Sequence, residues 1–112
     1  MIDRFRVLTH VLRQEAAFSL GVAGRRLGAA VEALQRFDTS GKPRVLPERV
    51  RLLRNAAHAL SACVIQREAL GIRDHAALST EYAVTSEIWH AMGISEESAA
   101  SPQGTEGSQQ PR

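Results

Sequence analysis

The sequence predicts an all-α protein: a helical bundle built on a long antiparallel helix hairpin, followed by one or two short C-terminal helices. Apolar residues recur every three or four positions through most of the 112-residue chain, and this spacing is typical of amphipathic α-helices. No stretch alternates apolar and polar residues for long enough to predict a strand. Proline, glycine and capping residues stand where the periodic segments begin and end, which divides the chain into separate helices.

The first helix is expected to run from Asp3 to about Phe37. Asp3 suits the N-cap, and Ile2 and Val7 occupy the two positions of a hydrophobic staple around it. From Leu20 onward, the steps of three and four are those of a seam between paired helices. At ~1.5 Å per residue the helix would be about 50 Å long. One apolar face continues through the whole segment and consists of Phe5, Leu8, Leu12, Ala16, Leu20, Ala23, Leu27, Ala30, Leu34 and Phe37.

A second apolar stripe lies on another face of the same helix. It consists of Val7, Val11, Phe18 and Val22, which stand about 140° around the helix axis from the first stripe. A peripheral helix in a small monomer needs only one buried stripe, so a further surface should cover these residues. Either the short C-terminal helices or a second copy of the chain would do so, and we predict a homodimer.

Small residues form a third stripe, at Ala17, Gly21, Gly24 and Gly28. Each glycine inside a helix costs ~1 kcal/mol relative to alanine, so we expect either a close helix contact here or a kink near Gly21. A continuous helix is the prediction, because the main apolar face keeps its phase across the glycines. The predicted dimer interface comprises Val7, Val11, Phe18, Gly21, Val22, Gly24 and Gly28.

A loop is predicted from Asp38 to Leu46, where turn-forming residues cluster. The second helix then begins with Pro47, since proline is favoured at the first helical position, and it ends before Gly71, which suits the C′ position. Two helices joined by a short loop predict an antiparallel hairpin. The apolar face of the second helix consists of Val50, Leu53, Ala56, Ala57, Leu60, Cys63 and Val64.

After the second helix, two short helices are expected. Asp74 suits the cap of a third helix, and Thr85 suits the cap of a fourth. Val84 and Trp89 then occupy the staple positions of the fourth helix, which indicates a break just before Thr85. A single helix over residues 74–92 is the alternative.

Residues 78–89 read Leu-Ser-Thr-Glu-Tyr-Ala-Val-Thr-Ser-Glu-Ile-Trp, which gives a short helix, a turn and the start of a second helix. Over about 20 residues this pattern resembles the helix-turn-helix of bacterial repressors. The resemblance implies a DNA-binding regulator built on residues 74–92. In such a regulator Ser86, Glu87 and His90 of the second helix would contact the DNA.

The sequence departs from that pattern at Ser79, where the pattern has a packed alanine, and at Ala83, where it has the turn glycine. Residues 1–73 hold 13 basic and 6 acidic residues, whereas residues 74–112 hold 1 basic and 6 acidic residues. The motif therefore lies in the acidic part of the chain, although cations that face the phosphates supply much of DNA affinity. Protein–protein contact is the main prediction, and DNA binding is the alternative.

The remaining composition excludes several kinds of function. A lone cysteine, Cys63, gives neither a disulfide framework nor a CxxC motif, and the four histidines lack the spacing that places two imidazoles on one helix face. No nucleophile–base pair, carboxylate pair or glycine-rich phosphate loop is evident, so we predict no enzyme activity, cofactor or metal. No apolar run reaches the ~18 residues of a membrane span and no secretory signal is recognised, so we expect a cytoplasmic protein without membrane attachment.

Glu15 lies about midway between the two apolar stripes of the first helix. A carboxylate in an apolar seam usually pairs with an arginine. Arg49 and Arg67, near the two ends of the second helix, are the expected partners. We expect such an ion pair to fix the register of the hairpin.

Residues 1–94 are predicted to form a single helical domain, and residues 95–112, which are too polar to bury a core, a disordered tail. The predicted function is that of a small non-enzymatic interaction or scaffold protein that self-associates as a homodimer, with a further protein partner left open. The sequence names no biological role. A small-molecule binder with a groove between its helices is a third hypothesis, after DNA binding.

Overall fold

The computed structural model describes residues 3–93. These residues form four α-helices: α1 (Arg4–Asp38), α2 (Pro47–Ala69), α3 (Ala77–Glu81) and α4 (Ser86–Met92). No strand occurs within this range, so the prediction of an all-α bundle with two short helices after a hairpin is confirmed. The predicted domain end at residue 94, the predicted tail at 95–112 and the staple residue Ile2 lie outside the described residues.

α1 and α2 pack against each other as an antiparallel hairpin. At the loop end Arg49 of α2 donates to Asp38 of α1, and at the other end Phe18 of α1 lines the same groove as Gln66 of α2. α1 continues through its glycines without a break, as the phase of its apolar face predicts. Its 35 residues span about 52 Å, whereas the 23 residues of α2 span about 34 Å, so α2 covers only part of α1.

The ends of the hairpin helices follow from the local sequence. The Asp3 carboxylate accepts a hydrogen bond from the Phe5 N–H at 3.0 Å and caps α1 as predicted. α2 begins at a proline, also as predicted. Gly71 has φ +85°, and the Ile72 N–H donates to the Arg67 carbonyl at 3.0 Å. This is a Schellman cap, and it ends α2 at the predicted glycine.

The core lies where the hairpin meets the two short helices, with α4 packed against α2. Trp89 is 1% exposed, and its indole N–H donates to the Ser79 hydroxyl at 2.8 Å. Ser79 therefore serves a buried donor that the alanine of the helix-turn-helix pattern would leave unsatisfied. The largest fully buried side chains are Trp89, Leu27, Leu60, Leu78, Ile88, Val31 and Cys63.

α3 and α4 are separate helices, as predicted. The Thr85 hydroxyl accepts a hydrogen bond from the Ile88 N–H at 3.3 Å and caps α4. Val84 and Trp89 on either side of this cap are both buried, which fits the predicted staple. Gly93, with φ +97°, ends α4 in the left-handed conformation that glycine adopts readily.

The start of α3 differs from the prediction. Asp74 accepts a hydrogen bond from the Ala76 N–H at 3.0 Å, and α3 begins only at Ala77. Asp74 therefore shapes the turn before the helix and does not cap the helix itself. The reason lies in His75, which is buried against the Arg67 side chain of α2, so the helix starts after it.

The main apolar face of α1 is covered by the rest of the chain only in its C-terminal half. Phe5, Leu8 and Leu12 are 75%, 54% and 58% exposed, whereas Leu27 is fully buried and Val31 is 2% exposed. The difference follows from the reach of α2, which is too short to lie beside both halves of α1.

The ion pair predicted for Glu15 does not form, and that prediction is wrong. Glu15 is exposed. Arg49 lies at the loop end of the hairpin, where it binds Asp38 and Glu87, and Arg67 donates to the segment just before α3. Both guanidinium groups therefore have partners nearer to them than Glu15.

Candidate interaction surface

The N-terminal part of α1 projects beyond the bundle. Between Asp3 and Glu15 every residue is exposed except Thr9, which is half-buried. The first buried residue along α1 is Ala23. We call residues 4–15 the projecting segment. No other element within residues 3–93 buries its side chains.

The projecting segment exposes apolar side chains of both predicted stripes. These side chains are between 45% and 75% exposed, and they are Phe5, Val7, Leu8, Val11 and Leu12. Phe18, one turn further along α1, is 71% exposed. Single exposed apolar side chains are common on soluble proteins, but a contiguous group such as this is a candidate interaction surface.

One line of side chains runs along the middle of this surface. From its first residue the line advances in steps of four and three, which is the heptad spacing of a helix that packs along another helix. We call this line the seam, and it consists of Arg4, Leu8, Val11, Glu15, Phe18 and Val22. Arg6, His10 and Arg13 stand on the opposite side of α1, so the projecting segment is amphipathic.

The seam leads into a groove between α1 and α2. The groove has a volume of about 540 Å³, and Phe18, Val22, Arg26, His58, Ala62 and Gln66 are among the residues that line it. None of its polar side chains is buried. It therefore lacks the enclosed, convergent polar groups by which small-molecule sites orient their ligands.

Tyr82 covers the glycine stripe of α1. A Cβ atom added to Gly24 would overlap the Tyr82 hydroxyl oxygen and lie 3.1 Å from Cζ, whereas one added to Gly28 would lie 3.6 Å from Cδ1. The glycines thus make room for a ring of the same chain. Gly21 lies beyond the ring, because the atom nearest to a Cβ there is Nη1 of Arg25 at 3.5 Å.

The seven residues predicted for a dimer interface fall into three settings. Val7, Val11 and Phe18 are exposed, Gly21, Val22 and Gly28 are half-buried, and Gly24 is buried. Gly24 is therefore not part of the exposed face, because Tyr82 of the same chain already lies on it. Sequence reasoning missed Phe5, Leu8 and Leu12 as members of the exposed surface, and the available signal was the short length of the second helix.

The helix-turn-helix-like segment has the turn that the resemblance implies. Ala83 has φ +57°, a left-handed conformation that glycine adopts more readily. Ser86, Glu87 and His90 are exposed. The Glu87 carboxylate is engaged, however, because it accepts hydrogen bonds from Arg49 at 2.8 and 2.9 Å. Only Ser86 and His90 of the three predicted DNA contacts lack such an ion pair within residues 3–93.

An ion-pair cluster joins the elements at the loop end of the bundle. Arg49, whose side chain is 7% exposed, donates to both Asp38 carboxylate oxygens at 2.7 and 3.0 Å and to both oxygens of Glu87. Arg44 adds a contact to Asp38 at 3.3 Å. Paired donors and acceptors of this kind are the strong form of the Arg–carboxylate bond. Sequence reasoning missed the cluster because Glu87 is 38 positions from Arg49.

The cluster shifts the pKa of Arg49 and of the two carboxylates that it binds. Hydrogen bonds from Arg49 hold the pKa of Asp38 and the pKa of Glu87 below their ordinary values, although burial opposes this. Hydrogen bonds to Glu87 and Asp38 in turn raise the pKa of Arg49. All three groups are therefore charged at neutral pH, and the cluster holds the start of α4 on the hairpin.

A second polar contact fastens the segment before α3 to the end of α2. Nε of Arg67 donates to Nδ1 of His75 at 3.2 Å, which assigns the ring proton to Nε2. Nε2 lies 3.3 Å from Oε2 of Glu68. Both ring nitrogens thus have partners, as expected of a buried imidazole that holds structure.

The lone cysteine and the metal-ligating side chain types of the described residues were candidates for reactive or metal chemistry. Burial raises the pKa of the Cys63 thiol, so little thiolate is present at neutral pH. Within residues 3–93 no three or more His, Cys, Asp and Glu side chains come together in a group suited to a metal ion. In the same range, none of the helices combines the length and the hydropathy that a membrane span requires.

Comparisons with protein-family models, with curated proteins and with solved structures found no match to this chain. The most distinctive feature of the molecular surface within residues 3–93 is the exposed seam of the projecting segment.

Proposed function

We propose that this protein is a non-enzymatic helical interaction module that self-associates as a homodimer through the projecting segment of α1. The observation that supports this function is the group of five apolar side chains on that segment, 45% to 75% exposed. Removing apolar surface from water is favourable by ~25 cal/mol per Å². The helix that carries these side chains is anchored by the bundle, so binding orders little additional chain.

A second copy of the chain fits this surface better than an unrelated globular face. The seam has heptad spacing, so its natural counterpart is another helix with the same spacing. A second α1 is such a helix, and two-fold symmetry sets the same surface of each copy against the other. The polar face with Arg6, His10 and Arg13 then stays in water.

Two valine substitutions test this function. Val11 and Val50 are exposed to a similar degree, 45% and 51%, but only Val11 lies on the seam. We expect Val11→Glu to make the protein monomeric, because it sets a carboxylate in the apolar contact. Val50→Glu, at the start of α2, should leave the dimer intact. Light scattering after size exclusion gives the mass of each variant, and circular dichroism checks that helicity is unchanged.

The same measurement on the unsubstituted protein decides the proposal. A dimer that dissociates on dilution through the micromolar range is the expected result, since a contact of this size gives a modest affinity. A protein that stays monomeric up to about millimolar concentration contradicts it. If such a monomer binds vesicles of anionic lipid, the occupant of the apolar face is a membrane surface and self-association is wrong.

We propose DNA binding through residues 74–92 as the second candidate function. The left-handed turn at Ala83 and the exposure of Ser86 and His90 favour it. Fluorescence anisotropy with a random DNA duplex at low salt should then detect binding that weakens steeply as salt is added. Ser86→Glu should abolish the binding, and Thr80→Glu, an exposed position on α3, should not. A duplex that stays unbound at low salt excludes this function.

A further inference from the structure

We infer that the homodimer is antiparallel, with Arg4 of each copy paired to Glu15 of the other. This inference rests on the proposed self-association and specifies its geometry. Arg4 and Glu15 are 11 residues apart, about three helical turns, so both stand on the seam. Both side chains are exposed, and neither forms an ion pair within residues 3–93.

The two charges on the seam distinguish between parallel and antiparallel pairing. In a parallel pair in register, Arg4 meets Arg4 and Glu15 meets Glu15, which opposes like charges at both ends of the contact. In an antiparallel pair, one register sets Arg4 opposite Glu15, and two-fold symmetry repeats that pair at the other end. Like-charge contacts at an interface disfavour the wrong arrangement, so the antiparallel pair is favoured.

The register that pairs these charges also matches the apolar side chains. With Arg4 opposite Glu15, Leu8 of one copy lies opposite Val11 of the other, one layer further in along the seam. Val7 and Leu12 flank the seam on its two sides, so each lies at an edge of the contact beside the partner helix. Leu8 and Val11 are then covered by the partner, and the charged pairs close the two ends of the contact.

A different antiparallel register leaves the charges without partners. A shift by one heptad preserves the seam but sets Arg4 opposite Val22 and Glu15 opposite Val11. Each charge would then lie against an apolar side chain, where removal from water is not compensated. The apolar side chains supply the attraction between copies, and the two charges select the register.

The length of this contact agrees with the part of α1 that the fold leaves bare. The overlap of the two helices extends from Arg4 to Glu15, and every residue of this overlap except Thr9 is exposed. Ala16, the next residue, is half-buried within the chain. Phe18, which is 71% exposed, lies just beyond the overlap at the groove between α1 and α2.

Charge reversal tests the pairing. We expect Arg4→Glu and Glu15→Arg each to raise the dimer dissociation constant by about tenfold or more, because each sets like charges together at both ends of the contact. The double variant R4E/E15R restores opposite charges and should return within about threefold of the unsubstituted protein. Arg13→Glu, the same change on the opposite face, is the control and should have little effect. Sedimentation velocity over a concentration series gives each dissociation constant.

Mixing the two single variants provides a second measurement that does not depend on either one associating alone. A copy carrying Arg4→Glu and a copy carrying Glu15→Arg are complementary at both ends, so an equimolar mixture should form dimers that neither variant forms alone. Recovery in the mixture also shows that both variants are folded.

Three outcomes would overturn the inference. If the unsubstituted protein dimerises but both reversals leave its dissociation constant within about threefold, self-association stands and the antiparallel pairing is wrong. If the reversals weaken the dimer and neither the double variant nor the mixture recovers it, the two side chains do not face each other. If the unsubstituted protein is monomeric throughout, self-association fails and the inference fails with it.

Discussion

Tyr82 lies against the glycine stripe of α1, and the two glycines beneath it leave different amounts of room. At Gly24 even a methyl group would overlap the phenol, whereas at Gly28 it would make an ordinary contact at 3.6 Å. Burial in this position raises the pKa of the Tyr82 hydroxyl. Gly24 is therefore needed to admit the ring, while Gly28 carries the helix penalty of glycine without such a need.

Alanine substitutions separate these two positions. We expect Gly28→Ala to raise the free energy of unfolding by about 1 kcal/mol, which is the helix preference of alanine over glycine. Gly24→Ala should show a smaller gain or a loss, because the Tyr82 ring must move away. In a Tyr82→Ala background both substitutions should stabilise equally. Urea denaturation measures the two single variants, Tyr82→Ala and the two double variants, and equal gains at both positions with Tyr82 present would contradict this account.

At the scale of the elements, the signals that begin and end each helix are local and could be predicted. Asp3 and Thr85 cap the helices that follow them, and Gly71 ends α2, because each acts on backbone groups only a few positions away. Asp74 is the exception. It binds a neighbouring N–H as expected, but burial of His75 delays the start of α3, and no local pattern reports that burial.

How far α2 reaches along α1 is marked by no local signal and follows only from the relative lengths of the two predicted helices. The apolar face keeps one phase from Phe5 to Phe37, and nothing in that pattern marks where intrachain packing stops. The second stripe predicts that Val11 and Phe18 contact a further surface, in a dimer interface. Leu8 was missed because it shares its stripe with the core. Exposure there depends on the relative lengths of two helices, which is a property of the hairpin as a whole.

Contacts between residues far apart in sequence explain why the Glu15 ion pair was predicted wrongly and why the Arg49 cluster was not predicted. Glu15 and Arg49 are both charged residues near apolar positions, and sequence alone could not assign their partners. The fold places Arg49 beside Asp38 and Glu87 and leaves Glu15 exposed. The sequence predicts that Glu15 fixes the register of the hairpin, but its carboxylate is instead available for the proposed contact between copies.

At the scale of the whole molecule, the two ends of the hairpin differ. At the loop end, Arg49 holds the last residue of α1 and the first turn of α4 together on α2. At the other end, the projecting segment has no such contact within residues 3–93. We call the loop end the closed end and the end with the projecting segment the open end. The Arg67–His75 contact fastens the last turn of α2, but within residues 3–93 the projecting segment itself is not packed against another helix, so association there does not disturb the core.

Acid should weaken the closed end first. Asp38 and Glu87 have ordinary pKa values near 4, and their pKa values are lower in the folded chain. A carboxyl group of this kind stabilises the fold above its ordinary pKa and loses that contribution as the pH falls through its folded pKa. The free energy of unfolding should therefore change little from about pH 7 to 5 and fall below about pH 4.

Removing the guanidinium group should change that pH profile. We expect Arg49→Met to lower the free energy of unfolding at pH 7 by about 2 kcal/mol, less than for a fully buried pair because Asp38 and Glu87 remain 28% and 42% exposed. The variant should also lose less stability in acid, since the carboxyl pKa values return toward their ordinary range. Arg51→Met, an exposed neighbour, should match the unsubstituted protein within about 0.5 kcal/mol. Urea denaturation at several pH values tests both variants. If the free energy of unfolding of Arg49→Met falls with pH in parallel with that of the unsubstituted protein, the cluster does not cause the loss of stability in acid.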